Sequence, residues 1–341
     1  MTDFVLGVDG GNTKSLACIA RSDGTIVGYA RGVCSDIYAY PSADMAIAEI
    51  SRIVDEALAM AGLSRDAIQS ACFSLAGADW QEDYDDLNTM LRAENLGRQQ
   101  TIVNDAIGAL RAGSPDGTGI VVACGTGAVV AARKAEGQFW HSSFWQEPMC
   151  GRTLANLTLR AVYRAELGID PPTALTEGVL EFFDLPTVEA VLHRLNSRIE
   201  TPPPFAHLAK LTVVLMDAAQ QGDATALAIC HDHGIKLGEY ACVAAHKVGL
   251  DASAAIPLVF LGGVLRHVCP VIRQTAADYV RQSYPQVETI THPLEPVAGA
   301  VLLALEAAQI TVTDTVQDNL VRTLPSSEFF HTAHRPGMSS G

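Results

Sequence analysis

The chain has 341 residues, 48% of them hydrophobic, and a formal net charge of −15. That length accommodates two domains with substantial cores, and the negative balance excludes the basic face that nucleic acid or an anionic membrane surface requires. No basic segment leads into an apolar stretch, so no signal peptide is expected, and the longest apolar run, near 256–265, is too short for a bilayer and carries two glycines. A buried strand over 4–8 opens the chain, a glycine turn follows, and strands over 16–20 and 27–32 continue the sheet. Residues 43–61 carry apolar side chains at helical spacing, and Gly62 closes that helix as its C-cap. A strand at 68–75, an exposed helix at 83–94 and a strand at 101–103 come next. The turn-rich Gly113-Ser114-Pro115-Asp116-Gly117 marks a domain boundary. Beyond it lie strands at 120–124 and 128–132, then helices at 153–167, 173–183, 187–196, 205–220 and 223–248. Pro202, Pro203 and Pro204 form an extended link within this helical section. A strand at 257–261, a helix near 268–282, a strand near 288–290 and a helix from 296 to 308 complete the pattern. Residues 312–341 are polar with weak periodicity and read as a surface extension or a partly disordered tail.

Eight cysteines are scattered without a Cys-x-x-Cys pair, so neither a zinc site nor a disulfide framework is expected. Most read as small buried apolar residues; Cys34 and Cys150 fall near the candidate site described next.

Three turns carry the chemistry. In the first, Asp9-Gly10-Gly11-Asn12-Thr13-Lys14 joins two apolar strands. Glycine lets the backbone turn sharply and bring its N–H groups to a ligand, and a row of such groups suits phosphate. Asp9, at the strand tip, can hold Mg²⁺ through water, because this ion takes few carboxylates and keeps several waters. Thr13 and Lys14 can donate to phosphate oxygens, and Asn12 is a donor or a plain turn residue. The second turn, Gly125-Thr126-Gly127, repeats the device between the strands at 120–124 and 128–132. The third, Gly262-Gly263, ends the strand at 257–261.

This set resembles the actin-like ATPase superfamily of sugar kinases, chaperone ATPases and actin. Within it, Thr101-Ile102-Val103-Asn104-Asp105-Ala106 is similar to the strand-to-helix junction of N-acetylglucosamine kinases. Phe73-Ser74-Leu75-Ala76-Gly77-Ala78-Asp79 looks like the loop before it, and Gly32-Val33-Cys34-Ser35-Asp36 stands where those kinases have a sugar-contacting Gly-x-x-x-Asn. The broad grouping is the BadF/BadG/BcrA/BcrD ATPase family, and the resemblance runs from residue 4 to 309. It implies an α/β, two-domain actin-like ATPase (ribonuclease H-like) fold with duplicated halves around a central cleft. The first domain is then 1–115 with the returning helix 296–309, the second is 116–295 with a helical insertion, and 310–341 is a tail.

The resemblance also implies roles. ATP with Mg²⁺ is the expected cofactor set. Gly10, Gly11, Asn12, Thr13 and Lys14 with Gly125, Thr126 and Gly127 face the phosphates, and Gly262 and Gly263 lie against adenosine. Asp105 matches the catalytic base, a role that the N-cap of the following helix, which Asp favours, leaves possible. Asp36, Gly77, Asp79, Asn104 and Glu147 are the expected sugar contacts, with Asp36 and Asp79 equally readable as loop residues. Trp140 and Trp145 read as an aromatic wall or as loop plugs. His231 and His233 face apart at i, i+2 on a helix, which argues against a shared metal. The expected partner is a small sugar, in a cytoplasmic homodimer.

Two departures fall on the acceptor side. Where the kinases carry Gly-Asp-Glu-Gly-Ser, this chain has Gln146-Glu147-Pro148-Met149-Cys150-Gly151, and Asp36 replaces the contact Asn. An Asp at 36 favours a free amine by direct charge pairing. Two other readings stand beside the amino-sugar kinase: an activator ATPase passing electrons through a shared iron–sulfur cluster, and a nucleotide-binding sensor with altered catalysis. Scattered cysteines weigh against the former, which needs grouped thiolates.

Overall fold

The computed structural model describes residues 3–125, 127–145, 149–291 and 293–331. Two compact units emerge, one from the chain up to 117 together with 294 onward, the other from 118 to 293.

The first unit begins with β1 (Phe4–Gly10), β2 (Ser15–Arg21), β3 (Ile26–Gly32), α1 (Ala43–Ala61), β4 (Ile68–Leu75), α2 (Gln81–Ala93), β5 (Gln99–Asn104) and α3 (Asp105–Gly113). Its sheet has the order β3-β2-β1-β4-β5, with β1–β2 and β2–β3 antiparallel and β1–β4 and β4–β5 parallel. Both faces are covered. Val5 points into one core, with Leu16 and Val301, and Leu6 into the other, with Ile50 and Phe73. That double burial is why β1 reads as a continuous apolar run rather than an alternating one. Helix α1 begins where Ser42 accepts the Asp44 amide and ends at Gly62, whose φ of 66° is the left-handed C-cap.

The second unit contains β6 (Gly119–Cys124), β7 (Ala128–Arg133), β8 (Phe139–His141), α4 (Gly151–Glu166), α5 (Leu175–Phe183), α6 (Val188–Asn196), α7 (Phe205–Leu208), α8 (Leu211–Gln220), α9 (Ala224–Val248), β9 (Ile256–Leu261), α10 (Val271–Arg281) and β10 (Val287–Ile290). Its sheet order is β10-β9-β6-β7-β8, with the first three strands in sequence antiparallel and β6–β9–β10 parallel. Read outward from β1 and from β6, the two sheets have one topology, so the fold is duplicated. The segment expected as one helix over 205–220 is two, α7 and α8, separated by a turn at Ala209 and Lys210.

The chain then returns to the first unit as α11 (Pro296–Ala307), α12 (Asp314–Thr323) and α13 (Ser327–His331). From Val297 to Leu305 every residue of α11 is buried. Its close approach to α3 depends on Gly299, because a methyl there would overlap the carbonyl oxygen of Gly108. The segment read as a weakly patterned tail is helical as far as it is described. Val316, Leu320 and Phe330 bury themselves in the core that β2 shares with α11. Val316, Leu320 and Leu324 recur at i, i+4 and i+8, a helical signal that the sequence does carry; the core they join is remote in the chain and leaves no local trace. Among the described residues no helix is long and apolar enough to cross a membrane.

Candidate active site

In the first unit, the carboxyl ends of three parallel strands lie side by side. Register pairs Asp9 of β1 with Ser74 of β4, and Leu75 of β4 with Asn104 of β5. Ligands of α/β sheets bind at such strand ends. The β1–β2 turn is tight: Gly11 N–H donates to the Lys14 carbonyl at 3.1 Å, and Ser35 N–H to the Gly11 carbonyl at 3.2 Å. Gly10 is buried, and a side chain there would meet Leu75 and the Ser35 hydroxyl, both 2.6 Å from a Cβ. Asn12 and Thr13 are exposed at the tip. Lys14 Nζ donates to the carbonyl of Phe330 at 2.6 Å, and its charge acts on Asp9 at the base of the turn.

The expected acceptor-side residues of this unit are brought together. Asp36 is buried and accepts the Tyr38 amide at 2.9 Å, capping a short 3₁₀ turn over Ile37–Ala39. Gly77 packs on it so closely that a Cβ would lie 2.8 Å from Asp36 Oδ1. Asn104 Nδ2 donates to Asp79 Oδ1 at 3.0 Å and to the Ala78 carbonyl at 3.2 Å, while its Oδ1 accepts the Ala106 amide at 3.1 Å. Asn104, not Asp105, is therefore the N-cap of α3, which corrects the capping alternative for Asp105. Asp105 is the first helical residue, and its carboxylate is not spent on that cap.

Charge accumulates here. Asp105 is pushed up to about 7, first by burial and then by the Asp79 carboxylate, with Asp36 adding; helix-start amides of Ala106 and of Asp105 itself oppose the shift. Asp9 is likewise raised to about 7, by burial and then by Asp105, with Lys14 pulling it back and Glu295 raising it further. Asp105 thus feels Asp79 and Asp36, and Asp9 feels Asp105, so that two buried carboxyls are poised near neutrality where a hydroxyl proton can be accepted.

Asp83 was missed by sequence reasoning. Buried at the start of α2, it accepts the Trp80 amide at 2.7 Å, the Asp79 amide at 3.2 Å and the Tyr38 hydroxyl at 3.0 Å. It thereby ties the 77–80 loop to the turn that carries Asp36. The available signal was an acidic residue three positions after the residue preceding α2, where a carboxylate turns back on the helix start.

In the second unit, the glycines of both turns converge. Gly125 N–H donates to the Gly127 carbonyl at 2.8 Å, and a Cβ on Gly125 would lie 3.7 Å from Gly263 N and 3.9 Å from Gly262 Cα. Gly262 has φ 88°, and a side chain there would collide with the Cys124 carbonyl, so only glycine fits. Gly127 and Gly263 face open space. The start of α4 joins this cluster, since Gly151 N–H donates to the Gly125 carbonyl at 2.7 Å. Thr126 and Glu147 lie outside the described residues. Trp140 packs against the core of this unit while Trp145 is exposed, so they form no common wall. His231 is exposed; His233 is buried, 3.7 Å from Cys124 Sγ and held down to about 4 by burial, then by the charge of Lys236. The pair does not converge. Cys34 and Cys150 are half-buried.

Comparison with known proteins finds relatives along most of the chain. An N-acetyl-D-glucosamine kinase of Dictyostelium discoideum is 27% identical over 321 residues, covering 89% of this chain and 98% of that protein. An N-acetylmuramic acid/N-acetylglucosamine kinase of Clostridium acetobutylicum is 24% identical, covering 88% and 98%. Among solved structures, a protein of Chromobacterium violaceum assigned as an N-acetylglucosamine kinase superposes with a TM-score of 0.62 at 22% identity, over 89% of this chain and 99% of that one. A ROK family glucokinase from Streptomyces griseus, in complex with glucose and AMPPNP, gives 0.52 at 18% identity, over 89% and 99%. These structural likenesses show that the chain shares their fold. The family model of the BadF/BadG/BcrA/BcrD ATPases matches residues 6–304. With its duplicated sheets and glycine turns, the chain belongs to the BadF/BadG/BcrA/BcrD ATPase family.

Proposed function

We propose that the protein is an ATP-dependent kinase of an amino sugar, such as N-acetylglucosamine or glucosamine. The observation that carries this reading is Asp105: a carboxylate at the first position of α3, uncommitted to the cap, with its proton affinity raised to about 7 by burial and then by Asp79 and Asp36. A base poised near neutrality suits proton transfer at ordinary pH. Phosphoryl transfer needs alignment and charge neutralisation more than covalent chemistry. The acceptor hydroxyl oxygen bonds to the γ-phosphorus, the bond from that phosphorus to the β–γ bridging oxygen breaks, ADP leaves, and the hydroxyl proton passes to Asp105. Asp36 and Asp79 accept hydroxyl or amine hydrogens of the sugar, oriented by Gly77, Asn104 and Asp83.

The Gly10–Lys14 turn and Gly125 to Gly127 hold phosphates in this reading, and Gly262 and Gly263 lie against adenosine. Among the described residues no group of three or more His, Cys, Asp and Glu side chains is placed to cage a metal. In this reading Mg²⁺ would ride on the nucleotide, held by Asp9 through water and supplying charge neutralisation of the phosphates. A cytoplasmic homodimer is part of the same proposal. The electron-transferring alternative lacks support, since none of the eight cysteines is exposed.

A coupled ADP-release assay with MgATP over a panel of amino sugars and neutral hexoses tests the reading. ADP release that depends on an amino sugar is expected. ADP release indifferent to any sugar, or none at all, overturns it.

A further inference from the structure

Helix α13 lies beyond residue 304, where the family match ends, yet it reaches into the phosphate-side turn. Lys14 Nζ donates to the Phe330 carbonyl at 2.6 Å and sits 6.0 Å from the centre of the Phe330 ring. Phe330 is itself buried. Its ring packs edge-on against Phe329, at 5.4 Å, and Phe329 packs edge-on against Tyr29 of β3, at 4.8 Å. Arg31 of β3 donates to the Phe329 carbonyl at 2.8 Å. Upstream, the Ile26 amide donates to Thr323 Oγ1 at 2.9 Å, and Asn319 Nδ2 to the Asp23 carbonyl at 2.9 Å, which moors α12 to the same strand region. The Phe330 carbonyl is thus fixed by a seated ring, an arginine and a moored helix.

We infer that the segment from Ser327 to Phe330 is a positioning element for Lys14, built onto the family fold, which sets the lysine ammonium for the phosphates of a bound nucleotide. This rests on the reading of the Gly10–Lys14 turn as a phosphate site. A lysine stem has four rotatable bonds, and immobilising it costs rotamer entropy that binding would otherwise meet. A neutral carbonyl takes one of the three ammonium N–H groups and leaves the positive charge undiminished. The charge remains in range of the turn, since it acts on the Asp9 carboxylate while held by Phe330. Preorganisation of this kind improves affinity without adding a contact to the ligand.

Two variants test it: a chain ending at Leu324, which keeps α12, and full-length Phe330→Ala, which removes the ring that seats the carbonyl. Each is made with Lys14 intact and with Lys14→Ala, MgATP binding is measured by titration calorimetry, and thermal melting checks folding. With Lys14 present, both variants should raise Kd for MgATP by about 2- to 12-fold, the range of the ordering cost of one long side chain. With Lys14→Ala they should change it no further. An unchanged or lowered Kd, or an equal rise in both backgrounds, overturns the inference while leaving the nucleotide site standing. If the shortened chain fails to melt cooperatively, Phe330→Ala decides. Wild type that binds no MgATP overturns the nucleotide reading itself, and this inference with it.

Discussion

Asp105 stands one residue inside α3, with Asn104 as the cap, and this makes its chemistry separable from its structure. Asp105→Asn should leave the cap and the fold intact while cutting turnover by about 10²- to 10⁴-fold, the usual value of a positioned base. MgATP affinity, measured by calorimetry, should stay near wild type; equal loss of affinity and turnover would instead point to a binding role. The raised proton affinity adds a pH signature. A base works only when deprotonated, so kcat/KM should climb to a plateau above about pH 7 and fall about tenfold per unit well below it. The same shift has a stability consequence. The folded value of about 7 exceeds the ordinary 3.8, so between those limits the native state holds a proton that the unfolded chain has released. The resulting stabilisation is full below about pH 4 and lost as pH rises through 7. Urea unfolding at pH 5 and pH 8 should show Asp105→Asn gaining on wild type at the higher pH, by on the order of 1 kcal/mol or more. The candidacy of Asp105 was legible from its place after a strand and from family likeness. That Asn104 would take the cap, and that Asp83 would lock the neighbouring loop, depended on side-chain geometry with no periodic signature.

At the scale of elements, glycine serves two different ends. Gly299 on α11 lies against the Gly108 carbonyl of α3, so Gly299→Ala must push two buried helices apart. It should destabilise by about 1–3 kcal/mol or more, read as a lowered melting temperature. Gly263 faces open space and carries no left-handed backbone constraint, so Gly263→Ala should fold normally. If Gly263 lies against the nucleotide, that variant should raise KM for ATP while its melting curve matches wild type; unchanged KM would remove Gly263 from the site. Elements with strong local signals were legible to the residue. Helix α1 runs from Ala43 to Ala61 because Ser42 and Gly62 punctuate it. Strand β8 spans only three residues, Phe139–His141, and is held by its pairing with β7. So short a run has no period of its own.

At the scale of the whole molecule, the chain leaves its first unit, builds the second, and returns for α11, α12 and α13. The returning helices complete a core, since Val316, Leu320 and Phe330 join Leu16, Cys18 and the apolar face of α11. Each large side chain removed from such a core costs about 1.5–3 kcal/mol of burial. A chain ending at residue 309 should therefore melt roughly 10–30 °C lower, seen by scanning calorimetry. An unchanged melting curve would mean that α12 and α13 contribute nothing to the first unit.

Local signals in the sequence by themselves determined the strands flanking each glycine turn, the capped helix α1 and the acidic, apolar-rich character of the chain. These depend on neighbours within a few residues, where backbone preference and burial period act directly. Only the tertiary structure decided that Asp9, Asp36, Asp79 and Asp105 share one electrostatic environment, that Gly125 and Gly262 converge, and that Phe330 holds Lys14 across 316 residues of chain. Those juxtapositions arise from strand order and from which face each helix covers. A carboxylate's proton affinity answers to the charges and low dielectric around it in space, and sequence separation carries no record of either.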